Sequence, residues 1–358
     1  MPKMKRRDLY ETTCTVDGKR YHFFGKSKSE AVAKRNAFKE RAEKAPLSLS
    51  GYTLAEWVSA WLVSVKNEVS PQTYSSYTLT MRKHIINALI GGVELSDLTP
   101  LMFRNYWQNL LDGGLSPRTV SYIHTVTGAA LKQAVLDGAL VTNPLSAVKR
   151  PRQIRKQIVA LDHAQIAALM NVIDDPVFRR IVHITLATGL RRGELQGLTW
   201  DDIDFKSCRL SVNQSVIRAD GREIVSTALK TKSSRRTITV DADTMEILRT
   251  QHAHCQALML RFRWPEIRFI FPRDDGGPMR QNTISKKFSK YCAAAGIANA
   301  TFHSLRHTHA TELVKAGIHF KIIQARLGHS SFAITMDTYS HIAPGEDEAA
   351  AEAIRKIL

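Results

Sequence analysis

Between residues 53 and 148, apolar side chains recur every three or four positions, the period of a helix with one buried face. Leu54, Trp57, Val58, Trp61, Leu62 and Val65 make the first stripe, entered through a capping box, Thr53-x-x-Glu56. Ser70-Pro71, Thr99-Pro100 and Ser116-Pro117 each set an N-cap hydroxyl ahead of a proline at the first helical position. Three further stripes follow them: Tyr74, Tyr77 and Met81; Phe103, Tyr106, Trp107 and Leu110; Val120, Ile123, Thr127, Leu131 and Val135. Four amphipathic helices predict a compact bundle whose aromatic residues are core rather than base-stacking groups.

The pattern changes on either side of this bundle. Residues 9–16 and 20–24 alternate loosely around Asp17-Gly18, a hairpin signal, and 29–44 has helical composition. A strand–strand–helix piece of that size is marginal alone. Asp162-x-x-Gln165 is a second capping box, and helices are expected from there to Val172, over 178–188 as far as Gly189, and over 190–198. Strand-like runs at 209–217, 223–227 and 236–240 predict one small antiparallel sheet, with helices for most of the rest. Asp201, Asp202 and Asp204 between them read as capping and solvated residues. The expected architecture is multidomain and mainly α: a small sheet-plus-helix N-terminal domain, a helical domain, and an α+β domain.

Charge sharpens this picture. The 358 residues carry a formal net charge of +18, which favours a polyanionic partner. Residues 1–50 have a net charge of +7, whereas 51–148 are neutral. The segment 149–156, KRPRQIRK, holds Lys149, Arg150, Arg152, Arg155 and Lys156 with no acid, and Pro144 and Pro151 discourage a continuous helix there. This reads as a basic linker suited to tracking phosphates. The four cysteines (Cys14, Cys208, Cys255, Cys292) lie far apart without a C-x-x-C pair, which excludes a disulfide framework and fits a reducing cytoplasm. The opening MPKMKRRDLYETT lacks the apolar stretch of a secretory signal, and no apolar run is long enough to span a membrane. Nucleoside triphosphate and dinucleotide fingerprints are absent, so no cofactor is expected.

The last 60 residues are dense in functional side chains. In HSLRH, His303 and Arg306 stand three apart on one helical face. An arginine fork matches two phosphate oxygens and a histidine moves protons near neutral pH, so the pair suits an anion. Zinc through His303 and His307 would call for a glutamate where Ser304 stands, and no metal is expected.

Five motifs, TGLRRGEL (188–195), KTKSSRR (230–236), HSLRHTHAT (303–311), RLGHSS (326–331) and TMDTYSH (335–341), follow one another in the chain. Together they resemble the tyrosine recombinases, specifically the integrases of phages and conjugative elements. The resemblance implies an arm-type DNA-binding domain at 1–48, a core-binding domain at 52–148, a linker at 149–159, a catalytic domain at 160–345 and a C-terminal helix at 346–358. It makes Tyr339 the nucleophile, Arg191 and Arg306 the phosphate-binding arginines, Lys230 the hairpin lysine, His303 and His329 the paired histidines, and Glu194 a supporting residue. The T-G-x-R spacing selects Arg191 over Arg192, and the K-T pattern selects Lys230 over Lys232. Arg235 joins the linker residues as an expected DNA contact.

The activity so implied is site-specific DNA breakage and rejoining without metal or ATP, in the cytoplasm of a bacterial host. Implied partners are double-stranded DNA at core-type and arm-type sites, further copies of the chain forming a tetramer on DNA, an excisionase and a DNA-bending host factor. Two alternatives use the same residues: a type IB topoisomerase, which relaxes DNA without exchanging strands, and a non-catalytic DNA-binding protein.

Overall fold

The loose alternation near the N-terminus does form a hairpin. In the computed structural model, which describes residues 9–16, 19–44, 51–152, 160–227 and 235–328, β1 (Tyr10–Val16) lies antiparallel to β2 (Lys19–Gly25). Helix α1 (Lys28–Lys44) packs on both strands, burying Cys14 and Ala31.

The Thr53 capping box begins α2 (Leu54–Ser64), and each Ser/Thr-Pro signal begins a helix: α3 (Pro71–Met81), α4 (Pro100–Asp112) and α5 (Pro117–Leu136). The Thr53 hydroxyl accepts from the Glu56 amide at 3.3 Å, and the Glu56 carboxylate accepts from the Thr53 amide at 2.8 Å. The hydroxyls of Ser70, Thr99 and Ser116 cap their helices in the same way, accepting from backbone amides three residues on. One core joins the four stripes, with Leu54, Val58, Met81, Phe103, Ile123 and Leu131 fully buried. The Trp57 indole N–H donates to the Ala130 carbonyl at 2.9 Å and ties α2 to α5.

These elements belong to one compact unit, Met1–Arg155; the second is Lys156–Leu358. It opens with α6 (His163–Val172), α7 (Pro176–Thr188) and α8 (Arg192–Gly197). Helix α7 starts two residues before the apolar pattern, because the Asp175 carboxylate accepts from the amides of Val177 and Phe178 and Pro176 takes the first position. Short strands follow: β3 (Ile203–Asp204), β4 (Arg209–Val212), β5 (Ser215–Ala219), β6 (Arg222–Ser226) and β7 (Arg236–Thr239). The unit closes with α9 (Ala242–Phe262), α10 (Gln281–Ala294), α11 (Phe302–Lys315) and α12 (Phe320–Leu327). Phe178, Leu195, Leu210, Ile238, Leu248, Phe271, Phe288 and Leu305 share its core.

The single expected sheet is two sheets. Strands β3-β4-β7 form one and the hairpin β5-β6 the other. The run 209–217 breaks at Asn213 and Gln214, whose side-chain amides donate to the Asp202 carboxylate (2.8 Å) and the Gly197 carbonyl (2.6 Å). Those bonds turn the chain, so β5 packs against α8 instead of extending β4. Asp220 and Gly221, both at positive φ, then close the hairpin. Asp202 is buried rather than solvated, and its carboxylate accepts from both the amide and the hydroxyl of Thr199.

Candidate active site

The site is built where α7, α8, β7, α11 and α12 meet. Helix α7 ends at Gly189, whose φ of +67° is open to glycine, and a Cβ there would stand 2.6 Å from the His309 ring and 2.9 Å from Leu327. The chain then turns through buried Leu190 into Arg191, which precedes α8. The Arg191 amide donates to Glu194 Oε2 at 2.9 Å and its guanidinium to Glu194 Oε1 at 2.7 Å.

Arg306 arrives from α11, only 2% exposed, and donates to the carbonyls of Gly189 (2.8 Å) and Leu327 (2.7 Å). Arg191 donates to the next carbonyl, that of Gly328, at 3.0 Å. Arg236, the first residue of β7, donates to the preceding one, that of Arg326, at 2.6 Å. Three consecutive carbonyls at the end of α12 are therefore each received by a different arginine. Helix C-termini leave such carbonyls without intrahelical partners and carry the negative end of the dipole, which explains why cations gather there.

Arg236 also donates to both oxygens of Glu194, at 3.1 and 2.7 Å. Burial alone would raise the Glu194 carboxyl, but the Arg236 and Arg191 guanidiniums outweigh it and hold the group down at about 2. Arg326 is half-buried and donates to the carbonyls of Ala187 and Thr239 and to the His309 ring at 3.1 Å. Arg191 and Arg236 contact the buried Glu194 carboxylate, while Arg306 and Arg326 hold backbone carbonyls of the same junction, so guanidiniums outnumber carboxylates there, an arrangement that attracts a further anion. Arg191 keeps 37% of its side chain exposed and has five N–H donors, so it can reach such an anion.

Arg192 points elsewhere. Its guanidinium donates to the side chains of Ser285 and Gln281 on α10. His303 is exposed beside these cations, with its ring edge-to-face on His307 at a centroid distance of 4.6 Å. Although its outer edge is open to solvent, crowding of the ring by protein, then the charges of Arg306, Arg191 and Arg192, hold the His303 imidazole down at about 4 and neutral at pH 7. His309 is buried. Its Nδ1 donates to the Leu186 carbonyl and its Nε2 accepts from Arg326, which fixes one neutral tautomer, and burial followed by Arg326 holds it at about 4.

The structure thus brings together Arg191, Glu194, His303 and Arg306 from the expected set. Lys230, its neighbour Lys232, His329 and Tyr339 lie outside the described residues, as do Arg155 and Lys156 of the linker. Lys149, Arg150 and Arg152 are exposed or half-exposed at the end of the first unit, and Arg235 is exposed beside β7. Sequence reasoning missed Arg236 and Arg326. One signal was available for Arg236: it occupies the same face of β7 as buried Ile238, so an arginine stands where alternation calls for an inward side chain. Among the described residues, no three His, Cys, Asp or Glu side chains are grouped to hold a metal ion.

The profile of the Phage integrase family matches residues 160–346, and that of the phage integrase N-terminal SAM-like domain matches 53–111. The chain is 26% identical to a XerC-like tyrosine recombinase of Caldanaerobacter subterraneus subsp. tengcongensis, over 98% of this chain and 97% of that one. It is 28% identical to the ICEBs1 integrase of Bacillus subtilis, over 92% and 89% of the two chains. In fold it is similar to the Tn1549 transposon integrase solved with a circular intermediate DNA (TM-score 0.72, 24% identity, 85% and 99% covered). It is also similar to lambda integrase solved as a tetramer on a Holliday junction (TM-score 0.62, 19% identity, 94% of each chain).

Proposed function

We infer the reaction from the site of a chain that belongs to the phage integrase family, and is a site-specific DNA recombinase. The observation that carries the inference is the convergence of Arg191 and Arg306, from elements 115 residues apart, on one helix end beside a single carboxylate. A phosphodiester under attack spreads negative charge over its non-bridging oxygens, and two arginine forks can absorb it. Tyr339 Oη forms the new bond to phosphorus while the bond to the 5′-oxygen breaks. A phenol ordinarily titrates near 10, so Tyr339 must lose its proton as it attacks; neutral His303 accepts it once the negative charge of the bound phosphate has raised the basicity of the imidazole. Lys230 protonates the departing 5′-oxygen, and His329 hydrogen-bonds the phosphate. The products are a 3′-phosphotyrosyl link and a 5′-hydroxyl, and the hydroxyl of a second strand reverses the step to join new ends. Because the link retains the phosphoester, rejoining needs no nucleotide.

The domain reading is likewise proposed. Residues 1–48 bind arm-type sites, 52–148 and 160–345 bind the core site, and 149–159 is the basic linker; the expected C-terminal helix at 346–358 lies outside the described residues. Lys149, Arg150, Arg152, Arg155, Lys156 and Arg235 contact phosphates. Like the lambda protein, the chain acts as a tetramer on DNA, with an excisionase and a DNA-bending host protein setting direction. Among the described residues no helix is long and apolar enough to cross a membrane, and the site of action is the bacterial cytoplasm.

The test uses a nicked duplex spanning the terminus of the DNA element that carries the gene, incubated with EDTA and no nucleotide. Wild type should yield a covalent protein–DNA adduct on denaturing gels and, with a second duplex, joined strands. Tyr339→Phe should yield neither while keeping its affinity for the duplex. An adduct in that variant would mean another nucleophile, and relaxation of circles without joined products would mean a topoisomerase.

A further inference from the structure

Arg236 is the most heavily committed of the arginines around Glu194. Its side chain is 6% exposed, and its fork spans two of its neighbours. One is Glu194, both of whose oxygens it meets. The other is the carbonyl of Arg326 near the end of α12, met by Nε. Glu194 in turn receives two bonds from Arg191, through the amide and the guanidinium. Two oxygens with about four acceptor sites are thereby filled by four donors, two from each arginine. Glu194 is a bridge, and the direction of the Arg191 fork depends on what holds its far side.

The second connection runs through α12. The carbonyls of Arg326, Leu327 and Gly328 are held by Arg236, Arg306 and Arg191 in turn. The residue next in sequence is His329. Arg236 is thus bonded to the partner of Arg191 and to the same helix end that Arg306 and Arg191 hold.

Lysine could not replace it. An ammonium is a point charge, whereas this geometry requires a planar fork that spans a carboxylate and a carbonyl together. Its place on β7 supplies the rigidity, since Arg236 pairs with Val212 of β4 and its strand neighbour Ile238 is buried in the core.

We propose that Arg236 is a positioning residue of the strand-cleavage site, which sets the Arg191 fork through Glu194 and locks the end of α12 in the same register. This rests on the reading that Arg191 and Arg306 bind the scissile phosphate.

The experiment compares full-length wild type, Arg236→Gln, Arg236→Lys and Tyr339→Phe on the nicked duplex described above, under single-turnover conditions at saturating protein. Displacing a phosphate-binding group by about 1 Å costs on the order of 100-fold in rate, and Arg236→Gln should lose that much. Duplex affinity should stay within about threefold, since phosphate contacts over the whole footprint dominate binding. Arg236→Lys, which keeps the charge that faces Glu194, should fall between the two and serves if the glutamine variant does not fold. A second duplex with sulfur in place of the bridging 5′-oxygen has a leaving group that needs no proton. The defect should persist on it, because Arg236 acts on the phosphate-binding side.

Cleavage within threefold of wild type in both variants would overturn the proposal. So would a defect matched by an equal loss of affinity, or one abolished by the sulfur duplex, which would assign Arg236 to the leaving group instead. No adduct in wild type, or an adduct in Tyr339→Phe, would instead sink the underlying reading of the site.

Discussion

The helical bundle of the first unit and the junction around Glu194 in the second have interiors of opposite kinds. The bundle of α2 to α5 is held by an apolar core in which Phe103, Ile123 and Leu131 are fully buried. Buried polar atoms without a hydrogen-bond partner among the described residues occur in both units, Trp107 Nε1 and His124 Nδ1 in the bundle and Gln196 Oε1 and Trp200 Nε1 in the second unit, so they do not set the two apart. The junction of α7, α8, β7, α11 and α12 buries Arg306 and Glu194, and joins them to named partners at hydrogen-bonding distance. Apolar packing is non-directional and degrades gradually. A buried ionic network is directional, and removing one member leaves the others uncompensated. Damage to the first interior should therefore cost stability, and damage to the second should cost chemistry.

The largest expected effect tests the second half of that contrast. Arg306→Ala removes a charge-stabilising fork and strands the Gly189 and Leu327 carbonyls, and should lower the cleavage rate about 10³-fold. A single-turnover assay on the nicked duplex reads this; a loss of tenfold or less would show that Arg306 serves the fold alone. Phe103→Ala is the counterpart in the bundle. It should destabilise that unit by about 3–5 kcal/mol in urea denaturation, with cleavage per folded molecule unchanged. A cleavage defect surviving correction for the folded fraction would erase the contrast.

Acid should separate the units more gently. His309 ordinarily titrates near 6.5 but is held at about 4 in the folded chain. Below pH 6.5 the unfolded chain binds a proton that the folded chain refuses, so stability is full above 6.5, falls as pH drops toward 4, and levels off below. The complete contribution is about 3 kcal/mol. Denaturation midpoints of wild type and His309→Gln between pH 7 and 4 should diverge over that window; parallel curves would remove His309 from the account. The smallest effect is Thr53→Ala, which breaks the capping box of α2 at a cost of about 1 kcal/mol, visible as a small shift in the bundle transition and none in cleavage.

Legibility in the sequence follows the same division. The bundle could be read almost entirely, since its signals are local: a hydroxyl, a proline and a three-to-four periodicity lie within one or two turns of the helices they start. The motifs likewise named Arg191, Glu194, His303 and Arg306 before any geometry was available. Less could be read of the sheets, because 209–217 has strand composition throughout and only the bonds of Asn213 and Gln214 to distant groups break it in two.

Family, mainly helical fold class and the choice of candidate site residues came from the sequence itself, because periodicity, caps and motif spacing act over short stretches of chain. Tertiary structure decided which arginines do what. Arg191 and Arg192 are both half-buried, yet one bonds Glu194 and the Gly328 carbonyl and the other Ser285 and Gln281; Arg236 turns inward where Arg235 is exposed. That choice depends on carbonyls and a carboxylate 42 to 137 residues away. An arginine accepts any oxygen that packing brings within reach of its fork, so its partner is fixed only when the helix ends around it have been assembled.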